Sequence, residues 1–186
     1  MNEKSLLRER IKELTAALDD KYVAESDAGI LSVLLSLSVF RQANRVFAYY
    51  SVGREPDTLR LIGLCLEAGK EIFLPRSYSC GRMDFAPLNC PVGQLSKGRF
   101  GIPQPTDELP PVRAGKGDIV IVPALCYDEE LYRLGHGGGY YDRFLESTEA
   151  VAIGLCRERL VLGAVPKEPH DRPVDMLVTE KKVRNH

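Results

Sequence analysis

Asp118-Ile119-Val120-Ile121-Val122-Pro123 opens the stretch that decides the fold, and Arg133-Leu134-Gly135-His136-Gly137-Gly138-Gly139-Tyr140-Tyr141-Asp142-Arg143 completes it. Asp118 to Val122 is a near-continuous apolar, β-branched run, as buried strands are, and Pro123 stops it. In the second stretch Gly135, Gly137, Gly138 and Gly139 permit positive φ and let backbone N–H groups approach a ligand. An arginine stands at each end. Tyr140 to Ser147 fits a short helix, and Val151 to Leu155 fits the next strand.

The same alternation extends outward in both directions. Val46 to Tyr50 reads as a buried strand feeding the loop Ser51-Val52-Gly53. Asp57 caps a helix through Ala68, which Gly69 closes. Glu71 to Leu74 is a strand stopped by Pro75, and Met176 to Thr179 is another. Before them, Leu6, Leu7, Ile11, Leu14, Ala17 and Leu18 recur at helical spacing, with Lys4 and Arg8 one turn apart. Cations at a helix start oppose its dipole, so either a solvated basic edge or a bound anion accounts for them. A second helix is expected from Asp27 to Phe40, with Ser26 or Asp27 as its cap and Ile30, Leu31, Val33, Leu34 and Leu37 as its apolar face. Residues 77–117, rich in Gly and Pro, read as an elaborated, partly irregular excursion carrying Met83 to Phe85.

These elements predict an α/β, three-layer domain: a largely parallel central sheet flanked by helices on both faces. Ligands of such sheets gather at the carboxyl ends of the strands. The loops at Ser51–Glu55, at Cys126–Tyr140 and leading to His170-Asp171 are expected there. The 186 residues fit a single domain, residues 1–186. A formal net charge of -1 gives no broad attraction for nucleic acid, and no apolar run is long enough for a membrane. Asn2, Glu3 and Lys4 stand where a secretion signal needs apolar residues. The five cysteines lack zinc-site spacing and suit reduced thiols, so a cytoplasmic protein is expected.

Phosphate is the ligand these residue types suit best. The loop is not a Walker A sequence, because Gly-Lys-Ser/Thr is missing. Nor is it a dinucleotide fingerprint, because Tyr140 replaces the last glycine. Arg133, Arg143, Lys4 and Arg8 together can face a triphosphate, whose charge calls for Mg²⁺. Asp142 and Asp171 are the assigned metal carboxylates, with Asp128 and Asp175 as weaker rivals.

The run from Arg133 to Leu145 resembles the signature of the 5-formyltetrahydrofolate cyclo-ligase family, also called methenyltetrahydrofolate synthetase. Companion motifs stand in family order: Lys4 and Arg8, Glu55-Pro56-Asp57-Thr58, Leu74-Pro75, Met83-Asp84-Phe85, Gly98 to Pro103, Asp118 to Pro123, His170-Asp171, Val174-Asp175 and Val178-Thr179-Glu180. The resemblance covers nearly the whole chain. It implies an ATP- and Mg²⁺-dependent enzyme of one-carbon folate metabolism that converts 5-formyltetrahydrofolate to 5,10-methenyltetrahydrofolate. The γ-phosphoryl goes to the formyl oxygen, nitrogen 10 closes the ring, and ADP and phosphate leave.

By the same resemblance, Lys4, Arg8, Arg133, Leu134, Gly135, His136, Gly137, Gly138, Gly139, Tyr140 and Tyr141 hold ATP. Asp142 and Asp171 hold Mg²⁺, while Arg143 and Tyr141 serve the reaction. Tyr50, Glu55, Met83 and Tyr140 face the folate. A monomer acting on these two small molecules is expected, with no nucleic acid or membrane partner. The sequence departs from the family pattern at Leu131, where glycine is common, and at Arg159, where glutamine is usual. His136 occupies a variable position and is given no proton-transfer role. Two rivals remain on fold alone: a sugar-phosphate isomerase-like enzyme and a non-catalytic nucleotide-binding regulator.

Overall fold

The computed structural model describes residues 2–185. In chain order the elements are α1 (Glu3–Ala16), α2 (Asp20–Ser36), α3 (Ser38–Gln42), β1 (Arg45–Phe47), α4 (Thr58–Glu67), β2 (Glu71–Ser77), β3 (Met83–Pro87), β4 (Ser96–Lys97) and β5 (Pro103–Gln104). Then come β6 (Ile119–Val122), β7 (Cys126–Asp128), β8 (Arg133–Leu134), α5 (Tyr140–Leu145), β9 (Val151–Leu155), β10 (Val161–Leu162), β11 (Met176–Val178) and β12 (Val183–Asn185).

Seven strands form the central sheet in the order β12-β11-β9-β6-β1-β2-β3. Its inner pairs are parallel, and β12 and β3 run antiparallel at the two edges. Side chains alternate across it, as the pleat requires. Val46, Ile119, Ile121, Ile153 and Leu155 enter the core beneath α2, α3 and α4. Phe47, Val120, Val122 and Ala152 enter the opposite core with Ile11 of α1 and the partly buried Phe144 of α5. Both faces are therefore dry, which explains the uninterrupted apolar runs. The expected α/β, three-layer architecture with a largely parallel sheet is the one observed. A short sheet, β10-β7-β8, shares the second layer with α1 and α5. Among the described residues, no helix is long and apolar enough to cross a membrane.

Several boundaries differ from the sequence reading. The second helix begins at Asp20, capped by the Asp19 carboxylate accepting from Tyr22 N at 2.7 Å. Ser26 and Asp27 are thus inside α2, not its cap. The helix ends at Leu37, whose ψ of 129° is extended, before the short α3 resumes. Ladder pairing in the first strand stops at Phe47 rather than Tyr50. Pro75 does not stop β2, which continues to Ser77 against β3. Pairing with β1 has already ended at Phe73, so the missing proline N–H leaves no parallel-ladder bond unmade. Within the excursion, Met83–Pro87 is a full edge strand. Arg76, 1% exposed, ties the rest of the excursion down by donating to Asp84 Oδ1 and to the carbonyls of Thr106 and Leu109, each at 2.8 Å.

Candidate active site

The site is assembled on the sheet face that carries α1 and α5. Tyr50 and Glu55 follow the carboxyl end of β1. Met83 pairs with Ser77 at the carboxyl end of β2. The glycine loop is reached from β6 through β7 and β8, and α5 then packs back through Phe144, whose ring centroid lies 4.9 Å from that of Phe85. The Asp171 segment follows β10 and precedes β11.

Asn2 caps α1, and its carboxamide oxygen accepts from Ser5 N at 2.9 Å. That cap fixes the first turn and therefore Lys4. The Lys4 ammonium donates to Asp171 Oδ2 and Glu168 Oε2, both at 2.7 Å. Burial opposes charge on this amine, but the bonds to Asp171 and Glu168 outweigh it and raise its pKa. Asp171 is pushed the other way: burial is overcome by Lys4 and by the Glu168 N–H, so its pKa is lowered. One turn on, Arg8 Nε donates to Gly135 O at 2.8 Å. Its guanidinium carbon lies 3.4 Å from where a Cβ on Gly137 would stand, so α1 rests directly on the glycine loop.

Within the loop, Gly137 has φ of +97° and Gly139 has φ of +62°, conformations costly for residues with a Cβ. Gly138 is needed for a different reason: a Cβ there would lie 2.5 Å from the Tyr140 ring. Among the described residues, no acceptor meets the backbone N–H of Gly135, His136, Gly137, Gly138 or Gly139. Five successive unpaired donors, bordered by cations, form a nest for an anion. His136 itself is exposed.

Arg133 donates to Asp142 Oδ1 at 2.5 Å and to Arg172 O at 2.6 Å. The Arg172 N–H reaches the same Asp142 oxygen at 3.3 Å, which joins α5 to the Asp171 segment. Arg143 spans Gly138 O at 2.6 Å and Gly81 O at 3.1 Å. The Tyr140 hydroxyl donates to Tyr78 O at 3.0 Å, and Phe100 meets the Tyr140 ring edge-on at 6.1 Å between centroids. Tyr141 is different. Its hydroxyl is buried and has no hydrogen-bond partner among the described residues. Burial, and then the nearby Glu55 charge, push its pKa well up. Glu55 accepts from Val52 N at 2.9 Å, and burial raises its pKa. Met83 packs against the core beneath the site.

Lys4, Arg8, the glycine loop, Asp142, Arg143 and Asp171 therefore converge. Lys4 and Arg133 each hold a carboxylate, whereas Arg8 and Arg143 bond to backbone carbonyls. Closely packed, partly buried cations need compensating charge. The metal rivals also fall away. Asp128 is fully buried and spends its oxygens on Glu130 N, Tyr132 N and Val165 N. Asp175 accepts from Ala152 N near the amino end of β9. Glu168 and Arg172 were missed by the sequence reading; the bracketing Pro169 and Pro173 were the available signal of a fixed turn. Leu131 takes φ of +67°, the conformation for which glycine is better suited. Arg159 stacks over Tyr22, 3.9 Å from its ring centroid.

The donor types present are those a magnesium–triphosphate would need. The loop offers free donors, and Asp142 Oδ2 and Asp171 Oδ1 accept no hydrogen bond among the described residues, leaving one hard oxygen on each.

The profile of the 5-formyltetrahydrofolate cyclo-ligase family matches residues 1–180. A Mycolicibacterium smegmatis protein named 5-formyltetrahydrofolate cyclo-ligase is 35% identical over 147 residues, 74% of each chain. An Escherichia coli protein of the same name is 33% identical over 150 residues, covering 76% of this chain and 80% of that one. The solved structure of Aquifex aeolicus 5,10-methenyltetrahydrofolate synthetase superposes with a TM-score of 0.84 at 32% identity, over 98% of this chain and 92% of that one. With the profile spanning nearly every element described above, the chain belongs to the 5-formyltetrahydrofolate cyclo-ligase family.

Proposed function

We propose that the protein closes the ring of 5-formyltetrahydrofolate to give 5,10-methenyltetrahydrofolate, with conversion of ATP to ADP and phosphate. The observation that carries this reading is the run of five unpaired N–H groups from Gly135 to Gly139, overhung by Arg8 and Arg143. A formyl group on nitrogen 5 is amide-like, and its oxygen leaves poorly when nitrogen 10 attacks. The formyl oxygen therefore takes the γ-phosphoryl group, breaking its bond to the ADP oxygen and leaving an iminium phosphate. The nitrogen 10 lone pair then bonds to the formyl carbon, nitrogen 10 loses its proton, and the C–O bond breaks with phosphate leaving.

Both reacting groups belong to substrates, so the protein's task is placement and charge stabilisation. The loop and Arg8 hold the triphosphate, and Lys4 and Arg133 steady its rim. Arg143, exposed and held among the described residues only by carbonyls, turns to the transferring phosphoryl. Tyr141, a buried donor without an acceptor, finds one in the reacting oxygens. Tyr50, Met83 and Tyr140 border the folate, and Glu55 accepts from its reduced pterin. Mg²⁺, held by Asp142 and Asp171, would offset phosphate charge. The free thiols accord with a cytoplasmic, reducing setting, and the catalytic unit is taken as the monomer.

The test is one assay. Protein, MgATP and 5-formyltetrahydrofolate are mixed, and the methenyl chromophore and ADP are followed together, with equal amounts of each expected. ATP binding without ADP release on folate addition would identify a nucleotide-binding regulator instead. Nucleotide-independent turnover of a sugar phosphate would identify an isomerase.

A further inference from the structure

Arg157, two residues past the end of β9, is 1% exposed, yet it belongs to none of the phosphate or folate positions considered above. Its guanidinium is fully engaged. Nη1 pairs with Asp27 Oδ1 at 2.9 Å and donates to Val23 O at 3.0 Å and to the Ser26 hydroxyl. Nε and Nη2 donate to Arg54 O at 3.3 and 3.1 Å, and Nη2 also reaches Glu55 O at 3.2 Å. One side of the fork thus grips α2, and the other grips the backbone of the loop that presents Glu55.

That loop has no ladder to hold it. Residues 48–57 lie between the end of β1 and the start of α4, so the carbonyls of Arg54 and Glu55 lack a strand partner. Buried carbonyls need donors, and a planar guanidinium can serve two segments at once where an ammonium cannot. The same bridge is reinforced by Asp57 N donating to Asp27 Oδ1 at 3.1 Å. With the carboxylate of Glu55 turned onto Val52 N and its carbonyl held by Arg157, both ends of the residue are fixed relative to the sheet.

We infer that Arg157 is a positioning residue for folate: it sets Glu55 by clamping the Arg54–Glu55 backbone to α2. This rests on the reading of Glu55 as a folate contact. The glycine loop is held by different partners, Arg8 and Arg143, so the clamp acts on one substrate and not the other.

Steady-state kinetics of Arg157→Lys and Glu55→Gln, singly and together, test it. Arg157→Lys should raise the KM for 5-formyltetrahydrofolate about tenfold, with the KM for ATP unchanged, because a clamp loosened by about 1 Å misplaces only Glu55. In the Glu55→Gln background the same substitution should change the folate KM no further. Equal effects on both KM values, or independent effects in the double variant, would overturn the clamp. A Glu55→Gln variant with unaltered folate KM would instead remove Glu55 from the site, which is a separate failure. Should Arg157→Lys not fold, Asp27→Asn loosens the same fork from α2 and should show the same selective rise.

Discussion

Replacement of Gly138 by alanine probes the glycine loop without touching its charge. The residue has no positive φ, so alanine meets no backbone penalty there. Its new Cβ, however, would lie 2.5 Å from Tyr140 Cε2 and 2.6 Å from Cδ2. Carbon atoms in contact settle at about 3.5–4.0 Å, so the ring must retreat by about 1 Å. Retreat strains the bond from the Tyr140 hydroxyl to Tyr78 O and the edge contact with Phe100. Each is worth about 1 kcal/mol when buried, and half-exposure of Tyr140 reduces the total to about 1 kcal/mol. In a chain of this size that lowers Tm by about 2–4 °C. The effect on turnover should be larger, about a hundredfold, because a displacement of about 1 Å beside reacting groups is costly. Gly63→Ala is the control. Gly63 lies inside α4 with nothing within 4 Å of its Cβ position, so alanine should stabilise the helix by about 1 kcal/mol and leave turnover unchanged. The readouts are the methenyl chromophore and a thermal melt of each variant. A folded Gly138→Ala enzyme with turnover within about twofold of the original would refute the steric argument.

Arg143→Ala removes a guanidinium that is exposed and, among the described residues, bonded only to two carbonyls, so stability should hardly change. Turnover should fall by about tenfold to a thousandfold, and unchanged kinetics would take Arg143 out of the reaction. Asp142→Asn halves the proposed metal pair and frees Arg133, so a Mg²⁺ titration of activity should shift to higher concentration; a superimposable titration contradicts the assignment. Hydrogen bonds from Arg184 hold the Glu158 carboxyl down at about 2 against an ordinary 4.5. The unfolded chain therefore binds that proton first, so the contribution is complete above about pH 4.5 and is lost as pH falls toward about 2. Tm should decline through that window, less steeply in Arg184→Gln, and equal slopes would dismiss the pair as a source of acid lability.

The sheet was legible where burial on both faces wrote a continuous apolar run, as at Ile119–Val122 and Val151–Leu155. It was least legible where tertiary partners override local pattern. The first turns of α2 carry Tyr22 and Ser26 inward, and their polar atoms are satisfied by Glu180 and Arg157, more than 130 residues away. No window of sequence shows that. Strands β7, β8 and β10 are two or three residues long, too short for any period to register. At the site, residue types and spacing marked the loop, Lys4 and Asp171. The pairing of Lys4 with Glu168 and of Arg133 with Asp142 follows only from folding, because each ion pair joins separate elements or opposite ends of the loop.

Those ion pairs bear on how a nucleotide would enter the proposed site. Lys4 meets Glu168 and Asp171, and Arg133 meets Asp142, while Arg8 and Arg143 bond to backbone carbonyls, so three carboxylates stand among the four cations. A bare triphosphate approaching either aspartate to about 5 Å would be repelled by about 3 kcal/mol for each pair of unit charges at an effective dielectric of about 20. The cations cannot supply their full attraction while their own carboxylates stay in place. On the proposed assignment a divalent ion would reverse the sign of the nearest interaction, with Asp142 and Asp171 as the residues that would hold it. On the proposed assignment the carboxylates would serve twice, compensating lysine and arginine and favouring phosphate that arrives with a cation. The pairing holds Lys4 and Arg133 in place, which on that proposal is how ion-paired cations would serve a site for an anion.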